Sequence, residues 1–453
     1  MWHRGAIIYR RSYSTYGKVD ILESLSISNF LTIKNARMRL QRINIFIGPQ
    51  AQGKSIISKL IYYFKEFPLD VFDSALEAHD KRQFDSANKD KFEKIFPAYA
   101  WEKNAFLIVY DNKDYAIFIE NERVGAKFKF SITYTGSISK ALAAGRKLVK
   151  ADRDVDFGSD MGVRNRPNTT GLVRQAVASV LSGDSKFSRL EQTIYIPAGR
   201  SFFANLQKSL FSFISSNIPI DFFLKEFGSI YENTRDSAFL RQASRGRPKS
   251  VDKTVEDLIC GTYVYEKGQD WILGARGRIG LSHSSSGQQE VLPMAIVLST
   301  WPYLSSKAFL RSFVIEEPEA HLFPIAQGQV VSLIAAAYNA EINHGDFVIT
   351  THSPYILTAF NNLIQADNAV RAFAGHDASD VYQVIPAEQH IRYEDISAYM
   401  VLDGAVTSIM DDEYQLIQAD AIDGASEYFS TRFEKLIELE ANATATYERD
   451  FLI

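Results

Sequence analysis

Residues 43–57 read INIFIGPQAQGKSII, and this stretch decides the fold. Its first five residues form an apolar run that predicts a short buried strand, and a helical spacing of apolar residues begins after Ser55. Between them, residues 48–55 match the phosphate-loop pattern G-x-x-x-x-G-K-[ST]. The strand before the loop and the helix after it favour a phosphate loop over a chance glycine-lysine-serine turn.

The residue types of this loop suit a bound phosphate. Glycines let the backbone curl, so that its N–H groups and the helix N-terminus face the β- and γ-phosphates. Lys54 places a positive charge on those phosphates, and the Ser55 hydroxyl can ligate Mg²⁺. The predicted nucleotide-binding residues are Gly48, Gln50, Ala51, Gln52, Gly53, Lys54, Ser55 and Ile56.

Two more apolar runs end in polar side chains. Residues 313–318 read FVIEEP, so a buried strand carries two carboxylates to its carboxyl end, where an open parallel sheet binds its ligand. We assign Glu316 to a metal ion and Glu317 to the base that polarises the attacking water. Residues 350–354 read TTHSP, and we predict that His352 contacts the γ-phosphate. A solvated acidic turn and a structural histidine are the alternatives.

A serine-glycine run, residues 284–290 (SSSGQQE), opens a predicted helix. Hydroxyls, an unhindered glycine backbone and a helix N-terminus together form an anion site. The same run is also an ordinary helix cap, so it is weak evidence when taken alone.

The order of these four elements resembles the ATP-binding-cassette class of ATPases. Within that class it is most similar to the branch of SMC-type chromosome-maintenance, RecF-type recombination and overcoming-lysogenisation-defect ATPases. The resemblance implies that ATP and Mg²⁺ are the cofactors and that two heads of a homo-oligomer sandwich ATP. It also implies that a signature contacts the γ-phosphate held by a second subunit. The matched signature residues are Ser285, Ser286, Gly287 and Gln288.

The same resemblance implies roles for three further residues. Glu319 and His321 match a loop that crosses the dimer interface, and Arg200 matches a sensor near the phosphates or the partner head. The family usually has Asp-Glu at the acidic strand end, where this chain has Glu316-Glu317. The extra methylene changes how far the metal-side carboxylate extends. A protein that holds ATP as a structural switch with little turnover is therefore a third hypothesis, beside a defence ATPase and a DNA-repair or chromosome-maintenance ATPase.

We predict an α/β fold: an ABC-ATPase head with a mixed or parallel core sheet, an antiparallel β lobe and a helical insertion lobe. Three alternating strands within residues 105–135 predict the antiparallel lobe. Residues 137–170 are predicted to have little regular structure, and residues 369–374 and 381–385 are predicted strands. The predicted parts of the chain are 21–200 (N-terminal part of the head), 201–283 (helical insertion), 284–385 (C-terminal part of the head) and 386–453 (acidic helical docking segment).

Composition excludes several classes of protein. The chain has 453 residues, a formal net charge of −4 and 46% hydrophobic residues, which excludes a disordered chain. Its single cysteine, Cys260, excludes a disulfide scaffold. No apolar run approaches the roughly 18 to 20 residues that cross a membrane. We therefore expect a cytoplasmic protein that does not contact membranes.

The residues after His352 bear on whether the ATPase carries its own effector domain. Lysogenisation-defect ATPases carry a toprim nuclease in the same chain, but the roughly hundred residues after His352 lack the converging carboxylates of such a site. The resemblance therefore implies a stand-alone ATPase that controls a separately encoded effector, a toprim-type nuclease, in bacterial anti-phage defence, with a phage-encoded protein as a possible trigger. The ATPase subunit of the PARIS system is the preferred match, and the Septu ATPase is the next.

The alternative is a DNA-repair or chromosome-maintenance ATPase of the RecF or SMC type. Its support is a basic stretch at residues 235–253, which could contact DNA phosphates or be a solvated loop. Such ATPases usually carry a long heptad coiled coil, and this sequence has no such pattern.

Overall fold

The computed structural model describes residues 23–156, 168–182, 190–206, 220–243, 246–304, 309–340, 345–373, 375–418 and 431–437. Its strands are β1 (Ser24–Phe30), β2 (Ile33–Arg39), β3 (Ile43–Ile47), β4 (Phe106–Asp111), β5 (Ala116–Val124), β6 (Lys127–Tyr134), β7 (Leu190–Ile196), β8 (Thr262–Glu266), β9 (Gln269–Gly274), β10 (Gly277–Gly280), β11 (Phe309–Glu316), β12 (Phe347–Thr351), β13 (Ile396–Leu402), β14 (Ala405–Ser408), β15 (Met410–Asp411) and β16 (Leu416–Ile417).

Eleven of these strands form one mixed sheet in the order β6-β5-β4-β1-β2-β14-β13-β3-β12-β11-β7. The five strands from β13 to β7 are parallel to one another. The strands β6, β5, β4, β1 and β2 pair antiparallel, and β14 joins the two halves. The α/β prediction with a mixed core sheet is confirmed, and so is the antiparallel β4–β5–β6 meander.

The helices pack on both faces of this sheet. They are α1 (Lys54–Leu76), α2 (Lys81–Ile95), α3 (Gly136–Asp156), α4 (Thr169–Ser182), α5 (Ser201–Leu206), α6 (Phe222–Asp236), α7 (Ala238–Ala243), α8 (Lys249–Ile259), α9 (Ser286–Leu298), α10 (Pro324–Tyr338), α11 (Pro354–Ala372) and α12 (Ser379–Val384). In the part of the chain that the structure describes, none of the helices has the length and apolar character needed to cross a membrane.

The parallel strands are largely buried on both faces, which explains their mostly apolar sequence. On β3, Ile43, Ile45 and Ile47 pack in one core with α9, α10 and α11. Phe46 points to the other face and packs in a second core with α1. The polar member of this strand, Asn44, is fully buried, and it is satisfied because its Oδ1 accepts from Gln41 N at 2.8 Å.

The predicted helical docking segment, residues 386–453, is wrong for residues 396–417. Those residues form β13 to β16, and β13 lies beside β3 in the centre of the sheet. Its side chains alternate between the two cores, with Ala398 on one face and Val401 on the other, which is the period of a strand rather than a helix. Residues 431–437 are helical, and residues 419–430 and 438–453 lie outside the described residues.

Other predicted elements also differ. Residues 137–170 were expected to be irregular, but α3 covers most of the described part, because Ile138, Ala141, Leu142 and Val149 bury one face at helical spacing. Residues 369–372 and 379–384 are helical, not strands. The predicted helical insertion, residues 201–283, also contains the small β8–β9–β10 sheet.

One buried lysine joins α1 to the sheet. The Lys65 side chain is only 1% exposed, and its Nζ lies 2.7 Å from Asp346, 3.1 Å from Glu23 and 3.4 Å from Glu191. Asp346 directly precedes β12, and Glu191 is the second residue of β7. Lys65 therefore holds α1 against the amino ends of two parallel strands.

Replacing this cation should leave three largely buried carboxylates without their cationic partner. We expect Lys65→Met to lower the free energy of unfolding by about 3–5 kcal/mol, measured by urea denaturation at pH 8. The deficit should shrink towards pH 6, because protonation removes the carboxylate charges and burial already raises the pKa of Glu191 to about 7. Lys81→Met is the control, since the Lys81–Asp85 pair is exposed. An equal loss in both variants would contradict this account.

Candidate functional site

The parallel strands deliver the predicted site residues to one edge of the sheet. β12 lies between β3 and β11, with Ile47 of β3 opposite Thr351 and Glu316 of β11 opposite Thr350. In this register β3, β12 and β11 end within one residue of one another. The loop after β3, Glu317 after β11 and His352 after β12 therefore meet at the same edge of the sheet. The parallel sheet thus brings together the phosphate loop, Glu317 and His352, which are far apart in sequence.

The conformation of the phosphate loop requires glycine at two positions. A Cβ at Gly48 would lie 2.2 Å from the carbonyl oxygen of Val401, and Gly53 adopts a φ of 104° at the start of α1. The Gln52 Oε1 accepts from the backbone N–H of Asp403 at 2.8 Å. The β13–β14 turn therefore packs directly on the loop. No sequence pattern pointed to Val401 or Asp403 as part of the site.

Lys54 uses all three of its N–H donors inside the site. Its Nζ donates to the carbonyl oxygens of Gly48 and Pro49, both at 2.7 Å, and lies 3.2 Å from the Nδ1 of His352. Burial lowers the pKa of Lys54 to about 8, although the charges of Glu317 and Glu319 oppose that shift. The ammonium is therefore bound to carbonyl oxygens of its own loop.

His352 connects the lysine to the predicted base. Because the Lys54 ammonium can only donate, the Nδ1 of His352 accepts, and the proton of a neutral ring lies on Nε2. That Nε2 lies 3.2 Å from the Oε1 of Glu317. The structure thus aligns Lys54, His352 and Glu317 in one chain of contacts. Glu317 remains 41% exposed, so its carboxylate can reach a water molecule.

Glu319 fixes the backbone of His352 beside the Lys54–His352–Glu317 contacts. Its Oε1 accepts from the Thr351 hydroxyl at 2.8 Å and from the His352 backbone N–H at 2.7 Å. The expected place of Glu319 and His321 at a dimer interface remains a prediction. His321 is exposed and adopts a φ of 60°.

The predicted signature forms a helix cap. The Ser285 Oγ accepts from Gln288 N at 3.3 Å, and the Gln288 side chain accepts in return from Ser285 N, which makes a capping box. The Gln288 Nε2 also donates to Ile259 O at 2.7 Å. A Cβ at Gly287 would lie 2.9 Å from the carbonyl oxygen of His321. Contact of Ser285, Ser286, Gly287 and Gln288 with a second subunit's nucleotide remains a prediction.

The predicted sensor has a different environment. Arg200 is completely buried, and its guanidinium donates to backbone carbonyl oxygens, including that of Glu316 at 2.7 Å. In this structure the guanidinium therefore faces the protein interior, and its predicted role near the phosphates or the partner head stays a prediction.

Two side chains fit a magnesium ion. Ser55 is exposed in the first turn of α1, and Glu316 ends β11 with its carboxylate largely buried. The Oε1 of Glu316 has no hydrogen-bond partner among the described residues, so one buried carboxylate oxygen is available as a ligand. A hydroxyl and a carboxylate are the oxygen donors that Mg²⁺ prefers, and phosphates and water complete its shell.

The basic stretch at residues 235–253 is partly neutralised. The Arg235 side chain is 9% exposed and lies 2.9 Å from Asp270, and Arg247 lies 2.5 Å from Asp252. Arg245 lies outside the described residues. These ion pairs reduce the positive charge available to DNA.

Residues 202–357 match the family model described as an AAA ATPase domain. The match covers roughly a third of the chain, includes the signature, Glu317 and His352, and begins after the phosphate loop. It supports the prediction of an ATPase. No curated protein matches the chain.

Several solved structures are similar to the chain. The SMC head domain from Thermotoga maritima shares 12% identity at a TM-score of 0.35, over 86% of this chain and 98% of that one. An SMC head bound to the C-winged helix domain of ScpA shares 12% identity at a TM-score of 0.39, with the same coverage. The recombination mediator protein RecF shares 10% identity at a TM-score of 0.31, again over 86% and 98%.

The lowered pKa of Lys54 predicts a pH dependence for ligand binding. Below about pH 8 the side chain is an ammonium, and its charge is lost as pH rises through that value. We expect the affinity for ATP to weaken steadily between pH 8 and pH 9.5, measured by calorimetry in buffers of equal ionic strength. Binding should also take up protons in that range. Affinity that is constant from pH 7.5 to 9.5 would contradict this assignment.

Proposed function

We propose that this chain is an ATPase that binds ATP with Mg²⁺ at residues 48–56 and hydrolyses it with Glu317 as the base. The observation that carries the proposal is the chain of contacts from Lys54 through His352 to Glu317. A structural lysine would not require a histidine and an exposed carboxylate in line behind it. The AAA ATPase domain match over residues 202–357 supports the same chemistry.

Each residue of the site has a separate task. An incoming γ-phosphate replaces the carbonyl oxygens of Gly48 and Pro49 as the partner of Lys54, which then neutralises its charge. His352 keeps its Nε2 proton and donates a hydrogen bond from Nε2–H to a γ-phosphate oxygen, and this frees the Glu317 carboxylate to accept a proton from the attacking water. Mg²⁺, when bound by Ser55 and Glu316, supplies charge stabilisation for the phosphates.

Two such heads would assemble around ATP. Large apolar side chains are exposed beside the site: Phe323 is 74% exposed, Ile325 is 73% exposed and Tyr355 is 53% exposed. Phe323 and Ile325 come after His321 on the loop beyond the acidic strand, and Tyr355 comes after His352. Exposed apolar groups clustered near a site mark a surface that contacts another protein, and a second copy of this chain is the proposed one.

The proposed output is control of a separately encoded effector, a toprim-type nuclease, in bacterial anti-phage defence. The support is the motif order, which resembles the PARIS and Septu ATPase subunits. Pairing of Arg235 and Arg247 with carboxylates removes part of the positive charge of the basic stretch, which favours protein partners over DNA, the ligand of the alternative RecF or SMC type.

Substitution of the base should separate binding from hydrolysis. We expect Glu317→Gln to bind ATP with nearly unchanged affinity, to lower steady-state phosphate release at least 100-fold, and to accumulate as an ATP-dependent dimer or higher oligomer. Lys54→Ala is the matched control, which should neither bind ATP nor assemble. Phosphate release at the wild-type rate in Glu317→Gln would refute the role of Glu317, and a Glu317→Gln protein that stays monomeric in ATP would refute the assembly.

The effector is tested by copurification. Glu317→Gln, purified with ATP from cells that also express its neighbouring open reading frames, should retain a nuclease subunit that mass measurement identifies. DNA bound with micromolar or better affinity at physiological salt, together with no protein partner, would instead support the alternative function.

A further inference from the structure

A buried arginine lies directly beneath the acidic strand end. Arg200 is 0% exposed, and its guanidinium donates four hydrogen bonds to backbone carbonyl oxygens. The acceptors are Glu290 O at 3.0 Å, Pro197 O at 2.8 Å, Glu316 O at 2.7 Å and Glu317 O at 3.0 Å. This one side chain therefore contacts the backbone of three segments: the loop after β7, the helix α9 and the end of β11.

Glu290 completes the arrangement from α9. It is 2% exposed, and its carboxylate accepts from the backbone N–H groups of Arg200 at 2.9 Å and Ser201 at 3.1 Å. It also lies 3.6 Å from the Nε of Arg200. Glu290 lies five positions after the cap residue Ser285, so the pair ties the helix that begins with the signature to the carboxylate strand end.

The position that Arg200 supports is a strained one. Glu317 has a φ of 44°, a left-handed conformation that is unfavourable for a glutamate. Its backbone is held on both sides, because its N–H donates to Thr350 O at 2.9 Å and its carbonyl accepts from Arg200. This turn of the backbone lets the Glu317 side chain approach His352 while Glu316 points into the interior.

We propose that Arg200 is a positioning residue that holds Glu317 in its strained conformation, and that the Arg200–Glu290 pair makes the strand end and helix α9 move as one unit. The proposal rests on the proposed ATPase function for its kinetic consequence. Through this unit, a shift of Glu317 on binding nucleotide would reach Ser285–Gln288 of the same head.

Only arginine suits this position. A planar guanidinium presents donors in a fixed fork and can serve several carbonyls at once, whereas a lysine ammonium has three donors around one atom. Arg200→Lys therefore keeps the charge and loses the fork. We expect it to lower kcat at least tenfold while the dissociation constant of ATP changes less than about threefold, since Lys54 and the phosphate loop are intact.

A spectroscopic measurement separates positioning from general stability. In protein labelled with ¹⁵N-histidine, the ring resonances of His352, assigned by their loss in His352→Gln, should shift in Arg200→Lys because Glu317 no longer holds Nε2. The matched control is Arg235→Lys, the same change in another buried ion pair. It should lower the melting temperature without moving kcat or the His352 resonances.

The outcomes are distinct. An unchanged kcat or unmoved His352 resonances in folded Arg200→Lys would overturn the proposal, as would equal effects in Arg235→Lys. If Arg200→Lys does not fold, Glu290→Gln is measured in the same way, because it keeps the shape and removes one carboxylate oxygen that accepts from the backbone N–H groups of Arg200 and Ser201. If the wild type does not hydrolyse ATP, the proposed function fails, and the His352 resonances still decide whether Arg200 positions Glu317.

Discussion

The parallel pairing of β3, β12 and β11 is the constraint on which the rest of the structure depends. Parallel strands end at the same edge, and here the register of Ile47, Thr351 and Glu316 is nearly level. Residues separated by some 300 positions in sequence thereby come within hydrogen-bond distance, as the 3.2 Å contact between Lys54 and His352 illustrates. A shift of register by one residue would turn the side chains to the opposite faces and separate these groups.

Buried charges hold this arrangement in place from both ends of the strands. At the amino ends, Lys65 joins α1 to carboxylates from three segments. At the carboxyl ends, Arg200 binds the backbone of Glu316 and Glu317. Desolvated charges are costly unless they are fully paired, and these two are surrounded by acceptors. The reactive edge is therefore buried at its base, and it faces solvent at Ser55, Glu317 and His352 and at residues 49–51 of the phosphate loop.

How much of the site was predictable depended on whether its residues form local patterns. The loop at residues 48–55, Glu317 and His352 come directly after apolar strands, so a short window contains both the residue and its structural context. Val401 and Asp403 belong to no short motif of this kind. They lie in β13 and in the turn after it, and residues 386–453 were predicted from the sequence to be a helical segment. The neighbours β3 and β14 supply the pairing of β13, and neither is visible from residues 396–402 alone.

The sequence by itself determined the chemistry of the edge, because the phosphate loop, the adjacent carboxylates and the histidine are specified by residue type and short spacing. It also determined the α/β class through its apolar runs. Only the tertiary structure decided which of these groups touch within the chain: Arg200 donates to backbone carbonyl oxygens, Glu319 accepts from the His352 backbone, and Arg235 pairs with Asp270. The physical reason is that an ionic side chain takes its role from the partners that burial brings to it, and burial depends on long-range strand pairing rather than on local sequence.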